Sequence, residues 1–120
     1  MDIPCKERVA DAFASRMADL RKLWQAGYGV EVENIGKLEE YGLAIDKVEP
    51  DKRGHPGYWR YQLSWGGPAE EFRYYDGGRV EFWLLDWWDG AALPLTGRDA
   101  AMIKNIIDPV RLSLAGHHRE

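Results

Sequence analysis

The side chains in this sequence that could act as nucleophiles or general bases are few and stand far apart. Cys5 is the single cysteine, His55 lies in a glycine–proline loop, and His117 and His118 adjoin near the last residue. A catalytic cysteine needs a histidine within hydrogen-bond reach, and none of these spacings belongs to a recognised catalytic pattern. We therefore expect Cys5 to be a buried small side chain at the start of a helix.

Carboxylates are more numerous, but their spacing is typical of strand ends and turns. The segment Asp86–Asp89 could offer two oxygen ligands to a metal ion, with His55 as a nitrogen ligand, yet nothing sets a third partner beside them. A paired-carboxylate hydrolase could use Glu70 with Glu71 or Glu81. Neighbouring strand residues point to opposite faces, so Glu70 and Glu71 would not converge on one substrate. We predict no catalytic residue and no metal ligand.

The two glycine pairs, Gly66-Gly67 and Gly77-Gly78, do not form a phosphate-binding loop. Such a loop leads into a helix and is followed by Lys and by Ser or Thr, and neither pair has this context. Both pairs are expected to be turns. The sequence therefore predicts no cofactor.

Five of the six tryptophans lie between residues 59 and 88, at positions 59, 65, 83, 87 and 88. Platforms that stack nucleic-acid bases come with basic grooves, whereas the chain has a net charge of −4. We expect no direct binding of nucleic acid. Trp87 and Trp88 are interpreted as consecutive strand residues, so at least one of them should lie near the surface. An exposed tryptophan is a favoured anchor in protein interfaces.

Acidic residues gather in two blocks. Residues 31–51 contribute a charge of −5 and residues 70–89 contribute −4, while the rest of the chain sums to +5. Complementary charge speeds encounter and fixes orientation, so these blocks predict a protein partner with a basic surface. The alternative is that these acids only solvate the surface of the protein. The candidate protein-binding residues are Glu39, Glu40, Glu70, Glu71, Asp76, Glu81, Asp86, Trp87, Trp88 and Asp89.

The elements that would position these residues predict an α+β fold in one domain, residues 1–120. An amphipathic helix is expected from Cys5 to about Gln25, and a second helix from Thr96 as its N-cap to Pro109. Between them we predict a short helix ended by Gly42 and a four-stranded antiparallel meander, with strands at 43–48, 58–65, 70–75 and 79–88. The segment from residue 111 to 120 is expected to fray.

The fourth predicted strand is apolar on both sides. Val80, Phe82 and Leu84 would face one way, while Trp83, Leu85 and Trp87 would face the other. A sheet with one wet face does not normally carry such residues on that face. We therefore expect either helices on both sides of the sheet or a partner surface over the second side.

The setting suggested by composition is the cytoplasm. A single cysteine cannot form an intrachain disulfide, the first residues are too charged for a signal peptide, and no apolar run approaches ~20 residues. We expect neither export nor membrane insertion.

Two segments, LSWGGP at residues 63–68 and LDWWDGA at residues 85–91, carry a resemblance to a protein family. They resemble a motif in small uncharacterised accessory proteins of bacterial plasmids and prophages. The resemblance implies no catalytic residue. It implies a setting in which small proteins block host defence, including restriction and CRISPR systems.

Together these features predict a small acidic inhibitor that binds a nucleic-acid-binding complex of a bacterial defence system. One alternative is a homodimeric structural subunit that buries the face of Trp83, Leu85 and Trp87 against a second copy. Another is an enzyme with an unrecognised carboxylate site around Asp86, Asp89 and His55.

Overall fold

The structure, a computed structural model, describes residues 3–117, with the side chains of residues 3–114. Its first element is helix α1, Cys5–Ala26, which buries Val9, Met17, Leu20 and Leu23 along one side. The spacing of three and four residues between these apolar side chains is what places them on one stripe. Gly27 ends the helix with φ 93°, and its N–H donates to the Leu23 carbonyl at 3.0 Å. The predicted first helix is confirmed.

The short helix predicted before the sheet is smaller than expected. Residues 32 and 36 form an isolated bridge, and only Leu38–Tyr41, helix α2, is helical. Gly42 follows it.

Five antiparallel strands, rather than the four predicted, form a meander in the order β1-β2-β3-β4-β5. The strands are β1 Ala44–Val48, β2 Tyr58–Ser64, β3 Ala69–Tyr75, β4 Val80–Asp86 and β5 Asp89–Leu95. The fifth strand was missed because its sequence, DGAALPL, contains Gly90 and Pro94, which usually mark loops. Proline is tolerated in an edge strand because half of the backbone donors there have no partner strand.

The predicted fourth strand, residues 79–88, was too long. The chain leaves β4 at Asp86, turns through Trp87 and Trp88, and returns as β5 from Asp89. Trp87 and Trp88 are therefore the two loop residues of a hairpin and not consecutive strand residues.

One face of the sheet carries the core, and helices α1 and α3 both pack on it. Ile45, Tyr61, Phe72, Phe82 and Leu93 lie in one row across the five strands, each paired with the next. Helix α1 contacts this row through Phe13, whose ring centroid lies 5.6 Å from that of Phe82. Full burial of a side chain of this size stabilises the fold by roughly 1.5–3 kcal/mol.

The other face of the sheet has no helix over it among the described elements, which corrects the expectation of helices on both sides. We call it the open face; it carries Tyr58, Glu71, Arg73, Trp83 and Leu85. The guanidinium of Arg73 lies over the rings of Tyr58 and Trp83, at 4.7 and 4.1 Å from their centroids. An aromatic ring is thereby partly shielded by a cation, which is how Trp83 is accommodated without a helix.

Helix α3, Gly97–His117, is longer than predicted because it continues through Pro109. Ile103 and Ile107 are fully buried on its sheet-facing side. Beyond the proline, Arg111 bonds Asp108 at 2.9 Å and lies over the ring of Tyr74, which anchors the extra turns. Residues 111–117, where fraying was expected, are helical, and residues 118–120 lie outside the described part. No described helix is long and apolar enough to cross a membrane.

Candidate protein-binding surface

Three exposed tryptophans lie at one end of the sheet. In a meander, alternate turns fall at the same end, so the β2–β3 turn and the β4–β5 turn are neighbours. The exposed fractions are 69% for Trp65, 88% for Trp87 and 98% for Trp88. Ile3, 56% exposed, borders the same hairpin. We call Ile3, Trp65, Trp87 and Trp88 the aromatic end.

The two sequence segments 63–68 and 85–91 meet at this end. Ala69, the first residue of β3, pairs with Leu85 of β4, and a shallow depression lined by Gly66, Gly67, Leu85 and Trp87 joins the two turns. A second depression, lined by Ile3 and Trp88 among others, lies on the other side of Trp87. Trp87 therefore forms a ridge between two hollows.

The backbone at Trp87 adopts a conformation that tryptophan rarely takes. Its φ is 56°, in the left-handed region normally occupied by glycine or asparagine. A non-glycine residue held there costs on the order of 1–3 kcal/mol, and such residues cluster at functional sites. A large, apolar and exposed side chain thus occupies a position whose local backbone disfavours it.

The two aspartates that flank the hairpin loop fix it to the start of α1. Asp86 accepts a hydrogen bond from Arg8 at 2.6 Å, and Asp89 accepts one from the backbone N–H of Cys5 at 2.7 Å. Pro4, at the N-cap position, has no side-chain group that caps the helix, so Asp89 supplies the cap from elsewhere in the chain. The hydrogen bond from Cys5 lowers the pKa of Asp89 below its usual value, as expected for a carboxylate at a helix N-terminus.

Cys5 lies beneath this junction as predicted, a buried free thiol at the first position of α1. Burial, reinforced by the nearby Asp89 carboxylate, raises the pKa of the Cys5 thiol above its usual value. The expected position, a buried small side chain at the start of a helix, is confirmed.

Three of the predicted acidic residues are engaged in pairs on the sheet. Glu70 bonds Arg16 of α1 at 2.9 Å, under the helix-covered face. Glu71 is buried on the open face and accepts a hydrogen bond from Arg73 at 2.7 Å. Glu81 accepts from the indole N–H of Trp83 at 3.0 Å. These carboxylates fix neighbouring side chains within the fold.

The remaining predicted acids lie away from the aromatic end. Glu39 and Glu40 are on α2, beside the β1 edge, and Asp76 is in the β3–β4 turn at the opposite end of the sheet. The structure therefore brings Asp86, Trp87, Trp88 and Asp89 together in one hairpin and distributes the other six predicted residues over the molecule.

Sequence reasoning missed Trp65, Ile3 and Arg8. The predicted second strand, residues 58–65, included Trp65, but β2 ends at Ser64 and the pairing register shifts between Gln62 and Ser64. The indole N–H of Trp65 instead donates to the side chain of Gln62 on the open face. The glycine pair directly after Trp65 was the available signal that the strand had ended.

The carboxylate site considered around Asp86, Asp89 and His55 is not assembled. His55 lies in the β1–β2 loop, at the other end of the sheet from the hairpin, and its Nδ1 is 2.6 Å from Asp51. Within the described residues, no cluster of three or more histidine, cysteine, aspartate or glutamate side chains could hold a metal ion.

No protein-family model, curated protein or solved structure matches the chain.

Proposed function

We propose that this chain binds another protein through its aromatic end and thereby acts as an inhibitor of a bacterial defence complex. The observation that carries the binding proposal is the near-complete exposure of Trp87 and Trp88 at the tip of an anchored hairpin. Tryptophan is enriched among the interface residues whose truncation to alanine weakens binding by about 2 kcal/mol or more.

The size of the surface is adequate for a specific complex. A large aromatic side chain can bury about 150–250 Å², so three tryptophans supply roughly 450–750 Å². A standard interface buries ~800 Å² on each partner. The aromatic end and its two flanking depressions therefore match the footprint of one small interface.

The hairpin is also held in place before binding. Arg8 and the Cys5 N–H fix Asp86 and Asp89 on either side of the loop, so less conformational entropy is lost when a partner docks. Preorganisation of this kind raises affinity without any new contact.

The partner chemistry that fits this surface is an apolar or aromatic groove. At the hairpin the Asp86 charge is matched by Arg8, at 2.6 Å. We keep a basic surface on the partner as part of the proposal. The chain has a net charge of −4, and Glu39, Glu40 and Asp76, which lie outside the aromatic end, would attract such a partner at long range. Such attraction changes the association rate more than the affinity.

The inhibitory role draws its support from the resemblance of segments 63–68 and 85–91 to accessory proteins of plasmids and prophages, since both segments border the aromatic end. Inhibition of a defence complex would take place in the cytoplasm. The proposal involves no catalytic step, no cofactor and no direct contact with nucleic acid.

The test is an interference assay in a bacterial host that carries a restriction or CRISPR system. Phage plating efficiency is measured with the wild-type chain and with a Trp87→Asn/Trp88→Ser variant. The proposal expects that the wild-type chain restores plating at least tenfold and that the variant does not. Equal plating efficiency with both chains would overturn the proposal. Binding of the wild-type chain to lipid vesicles, lost in the variant, would also overturn it.

A homodimer is the second candidate, and the open face favours it. Trp83 and Leu85 remain half-buried there without a covering helix among the described elements. Trp87, which was expected on the same face, lies at the hairpin tip instead. A dimeric mass in solution that becomes monomeric with Leu85→Lys would support this candidate, and a monomeric wild-type mass at high concentration would remove it.

A further inference from the structure

A cavity of about 350 Å³ lies between α2, the β1 edge and the second half of α3. Its walls are largely apolar and include Leu38, Ile45, Ile106 and Val110. Small-molecule sites in proteins are mostly apolar hollows of ≈ 300–1,000 Å³ with a few polar groups that orient the ligand. This cavity is at the lower end of that range, and it lies at the β1 edge of the sheet, away from the β4–β5 hairpin.

Tyr61 lines the cavity and carries a hydroxyl group. The residue is 4% exposed, and its ring stacks on Phe72 with centroids 6.2 Å apart. Gly42 lies so close to the same ring that a Cβ at that position would clash with it. Among the described residues, Arg8 Nε is the buried side-chain atom without a hydrogen-bond partner, and the Tyr61 hydroxyl is not such an atom. A ligand in the cavity could therefore replace solvent as the hydrogen-bond partner of this hydroxyl.

Glu39 gives the cavity its charge. It is the one charged residue among the described residues that line it. The Gly29 N–H donates to its Oε1 at 3.0 Å, which lowers the pKa of Glu39 and keeps it ionised at neutral pH. Tyr28 and Tyr61 add two aromatic rings to the same lining. A carboxylate beside aromatic rings favours a cation over an anion.

We propose that this cavity binds a small organic amine in its protonated form. The apolar body of the ligand contacts Leu38, Ile45 and Val110. The ammonium N–H groups donate to the Glu39 carboxylate and to the Tyr61 hydroxyl oxygen, with Tyr28 at the mouth.

The probes are three phenyl compounds of similar size and different charge: phenethylamine, phenethyl alcohol and phenylpropionate. Each is titrated into the full chain while backbone amide signals are followed by NMR. We expect saturable shifts for phenethylamine at Leu38, Ile45 and Val110, weaker binding of the alcohol and the weakest binding of the carboxylate. Signals of the β4–β5 hairpin should not move.

Two variants separate the roles of the polar groups. Glu39→Gln should weaken phenethylamine binding about two- to fivefold and leave the alcohol unchanged, since only the charge is removed. Tyr61→Phe should weaken phenethylamine about two- to tenfold. The thermal midpoint of this variant is measured beside that of the wild type, so that a loss of binding with an unchanged midpoint cannot be attributed to unfolding.

Trp88→Ser is the matched control, because it alters the proposed protein-binding surface and should leave phenethylamine binding unchanged. Equal affinity for phenethylamine and phenylpropionate, no saturable shift with any probe, or unchanged amine binding in Tyr61→Phe would each overturn the amine site. None of these results would bear on the aromatic end.

Discussion

The carboxylate of Asp89 accepts a hydrogen bond from the backbone N–H of Cys5 at 2.7 Å, so the β4–β5 hairpin caps a helix that begins 84 residues earlier. Asp86, on the other side of the loop, bonds Arg8 one turn further along α1. The two exposed tryptophans are thereby mounted on contacts between distant parts of the chain. Charge reversal at either aspartate would remove this support as well as a negative charge.

Loss of the cap should weaken both the helix start and the hairpin. We expect Asp89→Ala to lower the thermal midpoint by a few degrees, because the first N–H of α1 loses its partner and becomes unsatisfied. Asp89→Asn should lose less, since asparagine is also a good N-cap. Equal midpoints for wild type and Asp89→Ala would show that the cap does not contribute.

The same contact makes stability depend on pH. The pKa of Asp89 is lowered in the folded chain by the Cys5 N–H, so the unfolded chain binds the proton more readily. The stabilisation is therefore present above the ordinary aspartate pKa and is lost as the pH falls through the lower folded value. The stability difference between wild type and Asp89→Asn should be largest near neutral pH and shrink on acidification. A difference that grows in acid would contradict this.

The left-handed backbone at Trp87 predicts tolerance of substitutions that look severe. We expect the free energy of unfolding of Trp87→Asn to lie within about 1 kcal/mol of the wild-type value. The ring that is removed is exposed, and asparagine accepts φ 56° more readily than tryptophan. Trp87→Val should cost more, since a β-branched residue is strained at positive φ. Urea unfolding measures both, and a valine variant as stable as the asparagine variant would contradict the assigned turn.

Arg73 should be the most sensitive residue of the open face. Its truncation to alanine leaves the buried Glu71 carboxylate without its 2.7 Å partner and uncovers the rings of Tyr58 and Trp83. We expect a loss of about 3 kcal/mol, as for other ion pairs broken from one side. Arg73→Lys should recover part of it, because the charge returns without the planar stacking group. A cost below ~1 kcal/mol for the alanine variant would contradict the described packing.

Gly42 offers a test of how tightly the cavity floor is packed. A Cβ there would clash with the Tyr61 ring, so Gly42→Ala should cost about 1–3 kcal/mol through overpacking. Gly77→Ala is the matched control, because nothing lies within 4 Å of the added carbon and its φ is not positive. Similar unfolding free energies for the two variants would contradict the contact between Gly42 and Tyr61.

Local patterns were enough to predict α1 and the middle of the sheet. The three- and four-residue spacing in α1 and the Asp76-Gly77-Gly78 turn between β3 and β4 are signals encoded by neighbouring residues. In strand β5, Ala91, Leu93 and Leu95 alternate toward the core. Gly90 before them and Pro94 among them are typical of loops, so the strand was not predicted.

The hairpin tip could not be predicted because distant contacts fix it. Two adjacent tryptophans give no turn signal. The turn is set by Asp86 and Asp89, whose partners Arg8 and Cys5 are at the other end of the sequence. The same limit applies to the predicted acidic surface, since sequence blocks do not reveal which carboxylates pair with arginines across the sheet.

The most direct test of the central claim compares the wild-type chain with Trp87→Asn/Trp88→Ser in the phage-plating assay, after equal thermal midpoints have confirmed that the variant is folded. The proposed aromatic docking predicts that the wild-type chain protects phage and that the folded variant does not. Full protection by the folded variant would contradict it.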